Sequence, residues 1–167
     1  LLARRAFGAL LATSFIAAAS AAEQAWVTYE PKPGPGRGKH VVLIAGDEEY
    51  RSEEGLPMLG KILSQRLGFK CTVLFSVDAE GFINPDAGGS LSNPTALDSA
   101  DAIVMLLRFR HWDDDANKKF EAAVNRGVPI IGLRTSTHAF SGLKGPYEKW
   151  NNGKPTGFGK HVLGEQW

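Results

Sequence analysis

Cysteine is nearly absent from this chain: of its 167 residues only Cys71 carries a thiol. It has no mate in the chain, so no disulfide framework braces the fold. Neither charge sign dominates. Lysine and arginine number 19 against 18 aspartates and glutamates, a formal net charge of +1, and there is no basic patch to hold nucleic acid or an anionic membrane surface. The Gly-rich dinucleotide turn and the P-loop are both missing, and neither a cofactor nor a metal is expected. The longest apolar run, residues 6–19, is shorter than the ~20 residues that span a bilayer. No internal repeat or second composition regime divides the chain into further domains.

The amino terminus is nonetheless ordered in its residue types. Arg4 and Arg5 precede the apolar run, and a small-residue exit follows at Ser20, Ala21 and Ala22. This is the layout of a secretory signal peptide over residues 1–22. Arg4 and Arg5 followed by Phe7 resemble a twin-arginine signal, but the flanking residues fit it poorly, which favours the general secretory route. An exported protein, periplasmic or secreted, is expected, with no stable membrane insertion after cleavage. Loss of those two arginines leaves 17 basic against 18 acidic residues, a net charge of −1. Residues 23–39 hold Pro31, Pro33 and Pro35 among Gly34, Gly36 and Gly38 and read as a Pro/Gly-rich linker. The globular part is then 40–167, and about 125 residues suffice for one hydrophobic core. The chain starts without an initiator methionine and stops at Trp167 without a terminating loop. A piece of a longer reading frame, incomplete at the carboxyl end, is therefore expected.

Within the globular part, residues 40–45 (HVVLIA) form a continuous apolar run closed by Gly46, as in a strand buried on both faces. Ser52 is placed to cap a helix with Glu53 and Glu54 in its first turn. Leu56, Leu59, Leu63 and Leu67 recur at helical spacing, and Gly68 stops the helix. Residues 69–76 are rich in β-formers, 77–93 read as a loop, and 101–107 (DAIVMLL) are a further buried strand. Asp113, Asp114 and Asp115 open a second helix that buries Ala116, Phe120, Ala123 and Val124 and stops at Gly127. Residues 128–133 make a fourth strand. Residues 141–159 read as a loop or lid and 160–166 as the start of another strand. This rhythm defines an α/β fold, a mostly parallel sheet with helices on both faces.

In such a sheet, ligands sit in the crevice beyond the carboxyl ends of the strands. The first strand end brings Asp47, Glu48, Glu49, Tyr50 and Arg51; the third brings Arg108, Arg110 and His111; the fourth brings Arg134, Thr135, Ser136, Thr137 and His138. Acids, guanidinium groups, hydroxyls and an imidazole converging on one volume suit a polar, hydroxylated or anionic small molecule. Other readings compete. Glu48 and Glu49 also fit a solvated loop, and Arg108 and Arg110 also fit ion pairs with Asp47 or Glu49. Thr135 or Ser136 also fits a helix cap, with His138 packed in the first turn. Asp113, Asp114 and Asp115 fit capping better than metal binding, and His40 and His161, at strand starts, have no role. In a nucleophile elbow the reactive side chain sits at the centre of the strand-to-helix turn; in GLRTS at 132–136 that position is Arg134. Cys71, inside a strand, reads as a small buried hydrophobe. A phosphoacceptor domain is set aside because Arg108, not an aspartate, ends the third strand.

The motifs VVLIAGDEEYRSEE at 41–54, RFR at 108–110 and GLRTSTHAF at 132–140 occur in an order that resembles the ThuA-like (trehalose utilisation-like) family. That family is related to the class I glutamine amidotransferase-like fold. The resemblance covers about residues 40–167. It implies a flavodoxin-like three-layer sandwich, a role near carbohydrate metabolism, and a domain that continues past Trp167. It also implies that Arg134 replaces the catalytic cysteine of true amidotransferases, so that activity is not carried over.

The leading expectation is an exported enzyme, a hydrolase or isomerase, acting on a sugar or sugar derivative. His138 would be acid or base with Asp47 or Glu48 as its partner. Arg134, Arg108, Arg110, Thr135, Ser136 and Tyr50 would bind substrate. The alternative is a non-catalytic carbohydrate-binding or interaction domain using the same crevice. A weaker alternative is a metal-dependent hydrolase built on Asp47, Glu48 and His111. The partner in each case is a small polar molecule, not nucleic acid, and the oligomeric state is left open.

Overall fold

In a computed structural model, which describes residues 24–165, the apolar run after His40 forms the middle of the sheet. Strand β2 (His40–Gly46) is buried at every position. It pairs in parallel with β3 (Lys70–Phe75) on one side and β4 (Ala102–Leu107) on the other. A short β5 (Ile130–Gly132) adds in parallel to β4. The expected α/β class is borne out as a five-stranded, mostly parallel sheet with helices on both faces.

Alternation along β2 decides which face each residue serves. Val41, Leu43 and Ala45 join Cys71, Val73, Phe75, Val104 and Leu56 of helix α1 (Ser52–Leu67). Val42 and Ile44 join Leu74, Ile103, Met105, Leu107 and the Ala116, Phe120 and Ala123 face of helix α2 (Asp114–Asn125). Gly68 ends α1 at φ 79°, returning its N–H to Leu63 and Ser64 carbonyls, and Asp113 caps α2 by accepting from the Ala116 N–H at 2.9 Å, both as the sequence suggests. Leu67, expected on the core face, is 41 % exposed, whereas Leu56 is buried and Leu59 and Leu63 are partly so.

Three expectations are corrected, and one open alternative is decided. The segment read as a linker, 23–39, contains strand β1 (Trp26–Tyr29), paired antiparallel to β3 from Trp26 against Leu74 to Tyr29 against Cys71. Its Pro/Gly stretch is also tied down, Lys32 N–H to the Ser64 carbonyl at 3.1 Å and Gly36 N–H to the Leu67 carbonyl at 2.7 Å. Of the two readings of 141–159, loop or lid, the structure keeps the loop: it is irregular around a short helical turn at Gly145–Trp150, and Tyr147, Trp150 and Phe158 anchor it, buried with Phe120 and Phe140. The stretch expected to begin a strand at 160–166 contains a helical turn, Gly159–Leu163. Ser52 does not cap α1. The helix begins after Arg51 at φ 50°, and Ser52 Oγ is engaged by the backbone of Asp47. The signal-peptide reading of 1–22 falls outside the described residues.

Across the sheet the strands run β1, β3, β2, β4, β5. The chain leaves β2 toward β3 over one face and reaches β4 and β5 on the other side. The boundary between β2 and β4 is therefore a topological switch point, where a doubly wound sheet opens a crevice at its carboxyl end.

Candidate functional site

The carboxyl ends of β2, β4 and β5 enclose a cleft of about 450 Å³ lined by Glu49, Tyr50, Arg108, Phe109, Arg134, Thr135, Thr137 and His138. Five of the nine residues expected to form the site therefore line it: Tyr50, Arg108, Arg134, Thr135 and His138. The other four, Asp47, Glu48, Arg110 and Ser136, build its wall.

Asp47, immediately after β2, is fully buried. One carboxylate oxygen accepts the Glu49 and Tyr50 N–H groups at 2.9 and 3.0 Å, and the other accepts the Thr135 hydroxyl. The acid thus shapes the loop after β2 and ties it to the turn after β5, and no face of it is left for a substrate proton. Ser136 is likewise consumed. Its hydroxyl donates to the Met105 carbonyl at 2.9 Å and accepts from Leu107 N–H at 3.2 Å, lashing the turn to β4.

Glu48 sits between two arginines, one oxygen on Arg108 and the other on Arg110 Nη2 at 2.9 Å. Arg108 reaches Glu49 as well, at 3.1 Å. Arg110, its side chain 5 % exposed, spends all three nitrogens. Nε donates to the Arg108 carbonyl at 2.6 Å, Nη1 to the Pro85 and Ala87 carbonyls at 2.9 and 3.2 Å, and Nη2 to Glu48. It clamps the 84–88 loop onto the end of β4. Gly46 makes room for that clamp, since a Cβ there would lie 3.1 Å from Arg110 Cδ and 2.8 Å from Leu107 Cδ2. The sequence reading pairs Asp47 or Glu48 with His138 and puts Arg110 on the ligand; the structure commits all three to the protein itself.

His138 closes the helical turn Arg134–His138 and is 7 % exposed. Burial, followed by the nearby Arg108 charge, holds its pKa below the usual 6.5, so at neutral pH it is an uncharged imidazole able to accept a proton. Phe109 lies against it, ring centroids 5.0 Å apart, with the Arg108 guanidinium 5.2 Å from the Phe109 ring. Thr137 Oγ1 is 3.5 Å from His138 Nδ1. Phe109 is the lining residue that the sequence reading does not place at a strand end; Glu49 and Thr137, which it places there, are given no role in it. The signal for Phe109 was its place between two arginines at a strand end.

Backbone strain gathers here. Among the described residues four non-glycine residues have positive φ, and three of them, Arg51, Phe109 and Arg134, flank the cleft ends of β2, β4 and β5. Such conformations cost about 1–3 kcal/mol each and persist where the surroundings impose them, characteristically at functional sites.

His111 is not part of this cleft. It packs against Gly88, where a Cβ would come within 2.5 Å of its ring, and lines a separate hollow with Trp112, Asn117 and Leu143. Among the described residues no group of three or more His, Cys, Asp or Glu side chains is arranged to hold a metal ion, so Asp47, Glu48 and His111 do not form the metal centre of the weaker alternative. Cys71 is fully buried and its thiol is pushed up to about 11 by desolvation, which makes it unreactive. No family model matches this chain, and no curated protein or solved structure matches it.

Proposed function

We propose that this is an exported ThuA-like protein with a flavodoxin-like three-layer sandwich that binds and transforms a sugar or sugar derivative in the cleft at the switch point. The observation that carries the reading is the lining of the cleft: a neutral, buried imidazole beside two threonine hydroxyls, a tyrosine, an exposed phenylalanine face and two guanidinium groups. That mixture offers apolar faces for the carbon skeleton and donors and acceptors for hydroxyls, the balance of a small-molecule site. His138 is the acid–base group. Arg108, held by Glu48 and Glu49, presents a fixed donor edge, and Thr135 and Thr137 orient hydroxyls. Glutamine amidotransfer is not part of the reading, because Arg134 stands where a nucleophile would.

His138→Ala should lower turnover of oxidised or unoxidised disaccharides about 100-fold or more, the scale of a lost general acid–base, with binding by calorimetry retained. Unchanged turnover removes His138 from the mechanism. Saturable sugar binding without any product in the wild-type protein replaces this reading with a carbohydrate-binding domain on the same cleft.

A further inference from the structure

Three arginines build or line the cleft, Arg108, Arg110 and Arg134, and they are not equivalent; Arg51, beside it after β2, is paired with Glu54. Arg110 has every nitrogen engaged by carbonyls and Glu48. Arg108 gives its two terminal nitrogens to Glu48 and Glu49. Arg134, exposed at the cleft mouth, forms no salt bridge among the described residues. Its guanidinium rests 4.0 Å from the centroid of the Tyr50 ring, and Nη2 donates to the Tyr50 hydroxyl at 2.8 Å.

A guanidinium carries five N–H donors in a planar fork that matches a carboxylate or phosphate. Packing on Tyr50 orients Arg134 without neutralising it. The carboxylates around the cleft make no ion pair with it, for Glu48 and Glu49 are paired with Arg108 and Arg110, and Asp47 is enclosed by two amides and Thr135; Glu49 and Asp47 act on Arg134 only as more distant charges, after its contact with Tyr50. The backbone of Arg134 adds a second observation. At φ 41° it lies in a region that glycine or asparagine enters more easily, so the turn holds this side chain at the cleft from a strained position.

We infer that the ligand of this cleft is an anionic sugar derivative whose carboxylate or phosphate seats on Arg134 while its hydroxyls face Thr135, Thr137 and His138. This rests on the reading of the cleft as a sugar site and narrows it to a charged class. A neutral sugar offers Arg134 hydroxyl acceptors little better than water, whereas an oxyanion gains charge-assisted hydrogen bonds, about twice as strong.

Calorimetric titration of the full chain with glucose, glucuronate and glucose 6-phosphate, with acetate and inorganic phosphate as bare anions, tests the inference. The expected result is that glucuronate or glucose 6-phosphate binds roughly tenfold or more tighter than glucose at low salt, and tighter than the bare anions. Preference for glucuronate identifies a carboxylate ligand, and preference for glucose 6-phosphate a phosphate monoester. R134Q abolishes the preference, so that the anionic sugars bind the variant no tighter than glucose does. R134G does the same, and its melting temperature does not fall below that of the wild type, because the backbone strain is relieved as the side chain is lost. Glucose binding as tightly as both anionic sugars, or a preference that survives in R134Q, overturns the inference while the sugar reading stands. A bare anion binding as tightly as its sugar derivative overturns it too. If none of the three sugars binds, the inference and the proposed function fall together.

Discussion

Each end of the sheet buries a histidine, and the two are surrounded differently. At the amino end, His40 has both ring nitrogens engaged by hydroxyls, Nδ1 with Ser99 at 3.0 Å and Nε2 with Thr72 at 2.9 Å. Its backbone N–H donates to Asp101 at 2.8 Å, and Asp101 in turn holds Lys39 at 2.9 Å. The network closes on itself, so it reads as a structural brace. At the carboxyl end, His138 lines an open cleft between strained loops, near Arg134, which forms no salt bridge among the described residues. Both rings are buried and both are held neutral. Burial of a histidine alone therefore does not mark function; what separates the two is that His138 borders an open cleft, whereas His40 is bonded at both ring nitrogens to Ser99 and Thr72.

The largest test of that contrast is Arg110→Met. It strips the clamp of its charge, leaving three carbonyls without donors and Glu48 with Arg108 alone, and should cost about 3 kcal/mol in urea unfolding. A loss below about 1 kcal/mol would mean that Arg110 is not scaffold and that the division among the three arginines is wrong. Next comes His40→Ala, which removes both ring hydrogen bonds and opens a cavity. It should cost about 2 kcal/mol while leaving ligand titration at the cleft unchanged; altered binding would couple two ends taken here as independent. The smallest effect is on pH. Desolvation first, then Lys70 for His40 and Arg108 for His138, lowers both values from 6.5. As pH falls through 6.5 the unfolded chain takes up protons that the folded protein refuses. This contribution to stability is whole above that pH and drains away on acidification through the lower folded values. Melting curves should show this decline, and His40→Ala should flatten part of it; identical profiles for the two proteins would put His40 outside it.

Much of the frame was legible locally. The buried run of β2, the stop at Gly68 and the cap at Asp113 depend on residues within a few positions of one another, and the structure follows them. β1 was obscured because Trp26, Val27, Thr28 and Tyr29 are good strand formers beside a Pro/Gly stretch, and only pairing with β3 selects their strand conformation. The 141–159 segment lacks periodicity, yet Tyr147, Trp150 and Phe158 are captured by the aromatic cluster around Phe120 and Phe140. No local pattern announces such capture. At the site, the polar cluster at three strand ends was legible, but the division of labour within it was not. Asp47, Glu48, Arg110 and Ser136 look as reactive in sequence as His138 and Arg134. Their partners, Thr135, Arg108, the Pro85 carbonyl and the Met105 carbonyl, come from distant parts of the chain.

From the order of residues alone came the class of fold, the end of the sheet where a site should open, and the exclusion of an elbow nucleophile at Arg134. These follow from hydrophobic period, turn chemistry and residue identity, which act over short stretches. Which polar groups are spent on the fold and which remain for a ligand was decided only by tertiary structure. A hydrogen bond is a matter of distance and direction between chain segments that the sequence does not place, and at this cleft that geometry singles out Arg134.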